Sequence, residues 1–193
     1  LFKETGFTKI THLLDFVSFE QLLAETTDLF QHKVRRDMTM AETSYTPRIM
    51  YNVKQPVIQQ YGAYIPTIYH SAAIKSLIES ISGEAVYDLP FEEERYLINC
   101  VSNIGDTHGW HWDDYSYSIV FILKAPQLAH GGLVQCVPNT TWTRTQDAVN
   151  RALCDNAINS YHFNDNEAYL LKSKTTMHRV TELSHTDFRL SIN

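Results

Sequence analysis

The residues best suited to chemistry lie in the segment 107–115, which reads T-H-G-W-H-W-D-D-Y. His111 and Asp113 are separated by one residue, and side chains at positions i and i+2 of an extended strand point to the same face. An imidazole and a carboxylate at this spacing could bind one metal ion together. A second histidine from another strand would complete a facial triad of two histidines and one carboxylate, the ligand set of non-haem Fe(II) oxygenases.

The histidine-x-acid pattern is weak by itself, because the chain has nine histidines and 22 acidic residues. A second match, His185 with Asp187, is followed by no further histidine that could serve as a third ligand. After His111 the chain continues through apolar, strand-like segments and a Gly-Gly turn to His178. We therefore predict that His111, Asp113 and His178 hold the metal.

Arg189 comes eleven residues after His178 and has a physical role in such a site. 2-Oxoglutarate chelates iron through its keto-acid end, so its distal carboxylate needs a buried partner. A guanidinium stays charged and can bind a carboxylate through two parallel hydrogen bonds. Ser191 lies two residues on, on the same strand face, and could donate its hydroxyl to that carboxylate. The remaining coordination position would take O2, which makes Fe(II), 2-oxoglutarate and O2 the expected cofactor and co-substrates.

The elements that must position these residues change in character along the chain. Apolar spacing predicts a helix from Ser18 to about Arg36, begun by a capping box of Ser18 and Gln21. A second helix is predicted after Pro66, with Gly83 as its C-terminal cap, and a third over about 145–153. Short apolar runs predict strands near 96–101, 117–123, 133–137, 169–171, 179–183 and 188–192.

This order of elements indicates an α+β protein. We expect a double-stranded β-helix core, of the jelly-roll or cupin-like kind, over about residues 84–193, with flanking N-terminal helices over about 1–83. Since no linker divides the 193 residues, a single domain is expected.

Composition limits the class of partner. A formal net charge of −6 argues against nucleic acid or an anionic membrane surface as a partner. The one short basic cluster, formed by Lys33, Arg35 and Arg36, is interpreted as the solvated end of the first helix. No apolar run approaches the roughly 20 residues that cross a bilayer, and three separated cysteines give no disulfide framework. We expect a cytoplasmic enzyme with a small-molecule partner, and leave open a homodimer.

A family resemblance is carried by four segments, H-G-W-H-W-D-D-Y-S-Y-S-I-V-F-I-L-K-A-P, H-G-G-L-V-Q-C-V-P-N, H-R-V and F-R-L-S-I-N. They resemble the Fe(II)/2-oxoglutarate oxygenases that act on free amino acids, and are most similar to the group of lysine 4-hydroxylases and carrier-independent lysine halogenases. The resemblance begins at about Arg48 and is strongest from residue 94 onward. Halogenases of this group carry Gly or Ala in place of the metal-binding carboxylate, which leaves a coordination site for chloride. The presence of Asp113 therefore implies hydroxylation.

The resemblance also implies contacts to the substrate. Arg48 matches a position that binds the α-carboxylate of the amino acid, and Glu94 matches an acid directed at the substrate side chain. His108 and Asp114 match substrate-contacting positions that flank the metal motif, and Asn193 matches a position near the reacting carbon. A free basic amino acid, such as lysine or ornithine, is the substrate that this set implies.

Two other interpretations stay open. The same iron chemistry could act on a peptide or a natural-product intermediate, or the chain could be a non-enzymatic, cupin-like metal-binding module. Arg189 distinguishes the module, which has no need for an anchor of a co-substrate carboxylate. Trp110 and Trp112 could form a cation–π platform for a substrate, but we expect them to pack in the barrel wall.

Overall fold

The computed structural model describes residues 2–193, which form six α-helices and eleven β-strands. The helices are α1 (Phe2–Thr5), α2 (Phe16–Leu29), α3 (Gln55–Tyr61), α4 (Tyr64–Tyr69), α5 (Ala72–Ser82) and α6 (Ala148–Asp155). The strands are β1 (Phe7–Thr11), β2 (Val34–Thr39), β3 (Pro47–Val53), β4 (Ile98–Val101), β5 (Thr107–His111), β6 (Ser118–Lys124), β7 (Val134–Pro138), β8 (Asn159–Tyr161), β9 (Glu167–Leu171), β10 (Thr176–Val180) and β11 (Arg189–Ile192).

All eleven strands join one curled sheet with antiparallel ladders. Their order is β1-β9-β6-β11-β4-β3-β5-β10-β7-β8, and β2 pairs with β3 off this path. Because β5 and β10 are neighbours, His111 and His178 become direct Cα partners. Sheet register therefore brings together two residues that are far apart in sequence.

Apolar side chains bury both faces of this sheet. The helices α2, α3 and α4 pack on one face through a core that includes Leu22, Val53, Ile58, Ile98 and Leu190. A second core lies beside the metal-binding strands and includes Phe7, Val120, Val134, Tyr169 and Leu171. A third core packs α6 against Val137, Met177 and both Trp110 and Trp112, so the two tryptophans pack in the wall as expected.

The helix predictions met different outcomes. The first helix, α2, ends at Leu29, and its N-cap is Asp15, whose carboxylate accepts from the Ser18 N–H at 2.9 Å. The predicted capping box at Ser18 and the extension to Arg36 are therefore wrong. The second helix is confirmed as α5, with Gly83 at φ 73°, a left-handed conformation that favours glycine. The third is confirmed as α6, displaced by a few residues.

The flanking helices predicted over about 1–83 are present, but the predicted start of the sheet at about residue 84 is wrong, because β1, β2 and β3 lie before it. Arg35 and Arg36 belong to β2, which pairs with β3 over six residues, and not to the end of a helix. The sequence of β2 lacks the alternation of apolar and polar residues that would predict a strand, because β2 is exposed along nearly its whole length. β3 alternates clearly and pairs with both β4 and β5.

The six predicted strands are all present with shifted ends. The largest shift is in β10, which spans Thr176–Val180 where 179–183 was predicted. His178 therefore lies at the centre of a paired strand and not ahead of it. Among residues 2–193, no helix combines the length and the apolar character needed to cross a membrane.

Candidate active site

The side chains of His111, Asp113 and His178 converge, with one ligand atom from each within 4.8 Å of the other two. Asp113 Oδ1 lies 3.7 Å from His111 Nε2, and Asp113 Oδ2 lies 3.8 Å from His178 Nε2. Metal–nitrogen and metal–oxygen bonds are about 2.0–2.2 Å long. One ion between these atoms could therefore contact all three residues that the sequence predicts as ligands.

The backbone holds the three residues by two different means. His111 ends β5, and its partner His178 lies on β10. Asp113 lies beyond the end of β5, where its N–H donates to the Ser173 carbonyl oxygen at 3.2 Å. The expectation that one regular strand carries both His111 and Asp113 is therefore only partly right. Gly109 permits the approach of β5 to its neighbour, because a Cβ there would lie 2.5 Å from the Pro47 carbonyl oxygen.

Hydrogen bonds to backbone carbonyls orient both imidazoles for metal binding. Nδ1 of His111 lies 2.7 Å from the Gly109 carbonyl oxygen, and Nδ1 of His178 lies 2.9 Å from that of Thr176. With Nδ1 donating, each Nε2 keeps its lone pair on the side that faces Asp113. Burial, and then the neighbouring His178, hold the pKa of His111 well below its ordinary value. The ring is therefore neutral, as a metal ligand must be.

The Asp113 carboxylate is held by hydroxyl groups that sequence reasoning missed. Ser118 Oγ donates to Asp113 Oδ2 at 2.8 Å, and Ser173 Oγ lies 3.1 Å from Ser118 Oγ. Burial would raise the pKa of Asp113, but His178, His111 and the two hydroxyls outweigh it, so the pKa lies below its ordinary value. Asp113 is therefore an anion ready to bind a cation. Neither serine has a spacing that could have indicated this role.

Arg189 lies in the inner cavity, a narrow space lined by Arg189, Ser191 and the three metal-binding residues. Its side chain is buried, its Nη1 donates to Ser191 Oγ at 3.3 Å, and its Nη2 has no hydrogen-bond partner within residues 2–193. Burial raises the pKa of the adjacent Tyr169 to about 12, so that hydroxyl stays protonated. A buried guanidinium without an anion is costly. This donor set fits the distal carboxylate of 2-oxoglutarate.

Two predicted substrate residues lie directly beside the metal ligands. Arg48 on β3 and His108 on β5 are Cα partners, and the His108 ring stacks on His111 with centroids 3.9 Å apart. Arg48 is 9% exposed, and its Nε has no hydrogen-bond partner in the described chain. Burial, then the charge of Arg36, lower the pKa of Arg48. Burial, then His111, hold the pKa of His108 well below its ordinary value.

The outer cavity opens from the metal ligands and has a volume of about 700 Å³. Its lining includes all five predicted substrate residues, Arg48, Glu94, His108, Asp114 and Asn193. Glu94 is exposed and lies beside the Tyr115 hydroxyl. Asp114 pairs with Arg144, both side chains being 60% exposed. Asn193 Oδ1 accepts from Asn99 Nδ2 at 2.8 Å.

The second His-x-Asp match forms no part of this site. Asp187 Oδ2 lies 2.7 Å from Nδ1 of His130. The ring of His185 stacks on His130 with centroids 4.5 Å apart. These three residues stabilise the turn around Gly131, and only the match at His111 leads to a metal triad within residues 2–193.

Comparison with known proteins places the chain in a family. Residues 1–193 match the family described as HalD, Halogenase D. The chain belongs to the halogenase D family. Among curated proteins, none matches it.

Solved structures share the fold of this halogenase D family member. The epimerase SnoN, in complex with Fe3+, alpha ketoglutarate and nogalamycin RO, is 15% identical with a TM-score of 0.70, covering 99% of this chain and 78% of SnoN. AviO1 from Streptomyces viridochromogenes Tue57 is 15% identical with a TM-score of 0.73, covering 99% and 89%. A 2OG-Fe(II) oxygenase family oxidoreductase from Burkholderia pseudomallei is 16% identical with a TM-score of 0.65, covering 99% and 84%. The predicted double-stranded β-helix with flanking helices is thereby confirmed.

Family, fold and site agree on the class of chemistry. The fold is that of 2OG-Fe(II) oxygenases, and the triad has the ligand types that suit Fe(II). Arg189 is a buried cation without a carboxylate partner among residues 2–193, which suits 2-oxoglutarate. This halogenase D family member therefore has the fold of Fe(II)/2-oxoglutarate-dependent oxygenases and a site whose residues fit Fe(II) and 2-oxoglutarate.

Proposed function

We propose that this halogenase D family member hydroxylates a free basic amino acid, lysine or ornithine, and is not a halogenase. The single observation that carries the reaction type is the Asp113 carboxylate, which lies between the two imidazoles and accepts a hydrogen bond from Ser118. A carboxylate ligand fills the position that chloride needs in the halogenases that the sequence resembles.

The charges in the outer cavity support an amino-acid substrate. Arg48 is a buried cation beside the metal ligands, and no carboxylate within residues 2–193 pairs with it. Glu94 lines the same cavity, has no cationic partner in the described chain and lies beside the neutral Tyr115 hydroxyl. A zwitterion with an additional ammonium group would give each of the two residues a partner of opposite charge.

Each residue then has a defined task. His111, Asp113 and His178 would hold Fe(II), and Arg189 with Ser191 would hold the distal carboxylate of 2-oxoglutarate. When bound, the metal and co-substrates supply oxidation of a C–H bond, coupled to decarboxylation of 2-oxoglutarate to succinate. The chain's own contribution is to bind the distal carboxylate of 2-oxoglutarate and the carboxylate of the substrate with buried guanidinium groups, and to keep His111 neutral.

The outer end of the cavity orients the substrate in this proposal. Arg48 binds the α-carboxylate, and the neutral His108 beside it donates a hydrogen bond to the same group. Glu94 accepts from the side-chain ammonium. Asp114 can do so only after it exchanges its present partner Arg144 for the substrate.

The decisive test is an aerobic screen of the free amino acids with Fe(II), 2-oxoglutarate and chloride, following succinate and product mass. We expect lysine or ornithine to stimulate succinate release and to gain one oxygen atom, without a chlorinated product. Chlorination would refute the assignment of Asp113, and stimulation by acidic or apolar amino acids alone would refute the assigned substrate. Glu94→Ala and Asp114→Ala should impair turnover of the basic amino acid specifically.

One observation favours a larger substrate as the second candidate. A volume of about 700 Å³ lies in the range of cavities for drug-sized ligands, and a single amino acid would fill only part of it. A lysine-containing peptide turned over faster than free lysine would establish this alternative. A metal-binding module is disfavoured, since such a module has no need for the unpaired Arg189.

A further inference from the structure

The arginines of this protein fall into two sets. Five of the eight form ion pairs with carboxylates, namely Arg35, Arg95, Arg144, Arg151 and Arg179. The other three, Arg36, Arg48 and Arg189, form no ion pair with any carboxylate of residues 2–193, and all three line the inner or outer cavity. Arg189 and Arg48 already have proposed anionic ligands, which leaves Arg36 without one.

Sheet register places Arg36 close to Arg48. Met38 on β2 is the Cα partner of Arg48, and Arg36 is the partner of Met50, two residues further along β3. Paired residues and residues at i and i+2 share one face of a sheet. Arg36 therefore lies diagonally across from Arg48, at a separation that long side chains can bridge. His108, the β5 partner of Arg48, continues the same face toward the metal ligands.

Within residues 2–193, Arg36 forms no ion pair with a carboxylate and has no strong hydrogen-bond acceptor bound to it. Its Nε donates only to the thioether sulfur of Met38 at 3.4 Å, which is a weak acceptor. Burial lowers the pKa of Arg36, and burial followed by the charge of Arg36 lowers the pKa of Arg48. Two neighbouring guanidinium groups thus repel each other in a partly desolvated space, and an anion between them would relieve this cost.

We propose that Arg36 and Arg48 together bind the carboxylate of the substrate, so that Arg36 is a second specificity-determining residue of the site. The inference deepens the proposed function and rests on its amino-acid substrate, but not on which side chain that amino acid carries. Since β2 lies on the far side of β3 from β5, the shared carboxylate is drawn away from the metal ligands.

The test compares an acid with its amide. Binding of L-lysine and L-lysinamide is measured by calorimetry with the enzyme loaded anaerobically with Fe(II) and 2-oxoglutarate. We expect Arg36→Gln to weaken the binding of L-lysine at least about ten-fold, the effect of losing one charge-assisted hydrogen bond. Arg36→Lys should recover part of the lost affinity. Affinity for L-lysinamide should change less than about two-fold, because the amide has no anionic group for Arg36 to bind.

Lys33→Gln is the matched control, since it removes one exposed positive charge just before β2. It should leave both affinities unchanged, and all variants should keep the wild-type melting temperature and the visible band of the iron chelate. Equal weakening of acid and amide by Arg36→Gln, or no weakening of the acid, would overturn the inference.

The binding of other free amino acids is measured in the same way, which separates this inference from the proposed substrate. If another amino acid binds in place of L-lysine, the assignment of a basic substrate fails, and Arg36 is judged on that amino acid and its amide. If no free amino acid binds the wild-type enzyme, a paired-arginine site for the substrate carboxylate is refuted as well.

Discussion

The metal end of the site, with His111, Asp113 and His178, is built differently from the outer end that we propose to bind the substrate, here called the substrate end. His111 and His178 are direct partners on paired strands, and each ring is oriented by a backbone carbonyl. At the substrate end, Glu94 is exposed and Asp114 is paired with the equally exposed Arg144. The difference teaches that sheet register fixes the geometry of the metal ligands, whereas the outer part of the cavity is lined by exposed side chains that can exchange partners.

The largest effect should come from the metal end. His178→Ala removes one of three ligands, and we expect Fe(II) affinity and turnover to fall by more than about 100-fold, the upper range for loss of a supporting residue. The visible absorption band of the iron–2-oxoglutarate chelate measures binding directly. His185→Ala is the matched control, because it belongs to the unused His-x-Asp match and should leave the band intact. A normal absorption band in His178→Ala would contradict the assignment of His178 as a metal ligand.

Arg189→Gln should have the next largest effect. It removes a buried cation that lines the inner cavity, and breaking a buried ion pair costs about 3–5 kcal/mol. We therefore expect the KM for 2-oxoglutarate to rise by two orders of magnitude or more, while Fe(II) binding without 2-oxoglutarate is retained. Titration of the anaerobic enzyme with Fe(II), then with 2-oxoglutarate, separates the two quantities. Loss of both Fe(II) binding and 2-oxoglutarate binding would mean that Arg189 stabilises the fold and does not bind the co-substrate.

Asp106 lies directly before β5 and links that strand to β2. Arg35 of β2 binds its carboxylate with two nitrogens, at 2.6 and 3.0 Å. Burial would raise the pKa of Asp106, but Arg35 and the amides of Ser102 and Asn103 outweigh it, so the pKa lies below its ordinary value. Asp106→Asn should lower the free energy of unfolding by about 3 kcal/mol, because Asp106 is almost fully buried.

The sign of the pH dependence follows from this lowered pKa. Stability from the pair is fully present above the unfolded-state pKa of about 4 and is lost as the pH falls through the lower folded-state value. Urea unfolding of wild type and Asp106→Asn should therefore differ by a constant amount above about pH 5, and converge in strong acid. A difference that persists unchanged in acid would show that the carboxylate charge is not its source.

The contrast between the metal end and the substrate end explains which parts of the site could be predicted from the sequence. The triad and Arg189 were accessible because two-residue spacing on strands and the order of ligands along the chain are local signals. Ser118 and Ser173 were not accessible, since their contact with Asp113 depends on how β6 and the turn after β9 pack together. β2 was mistaken for a helix end because an exposed strand carries no alternating pattern. The pairing of Asp114 with Arg144 likewise depends on a loop conformation without a sequence signal.

The smallest effect is expected at the exposed rim, where Glu94→Gln tests side-chain recognition. Exposed ion pairs contribute up to about 1 kcal/mol, so the KM for L-lysine should rise by no more than about five-fold, with little change in kcat. L-Norleucine, which lacks the side-chain ammonium, is the matched substrate, and its KM should be the same for wild type and variant. An effect of 100-fold or more would mean that the rim closes and buries Glu94 during binding. The substrate end would then resemble the metal end once a ligand is bound.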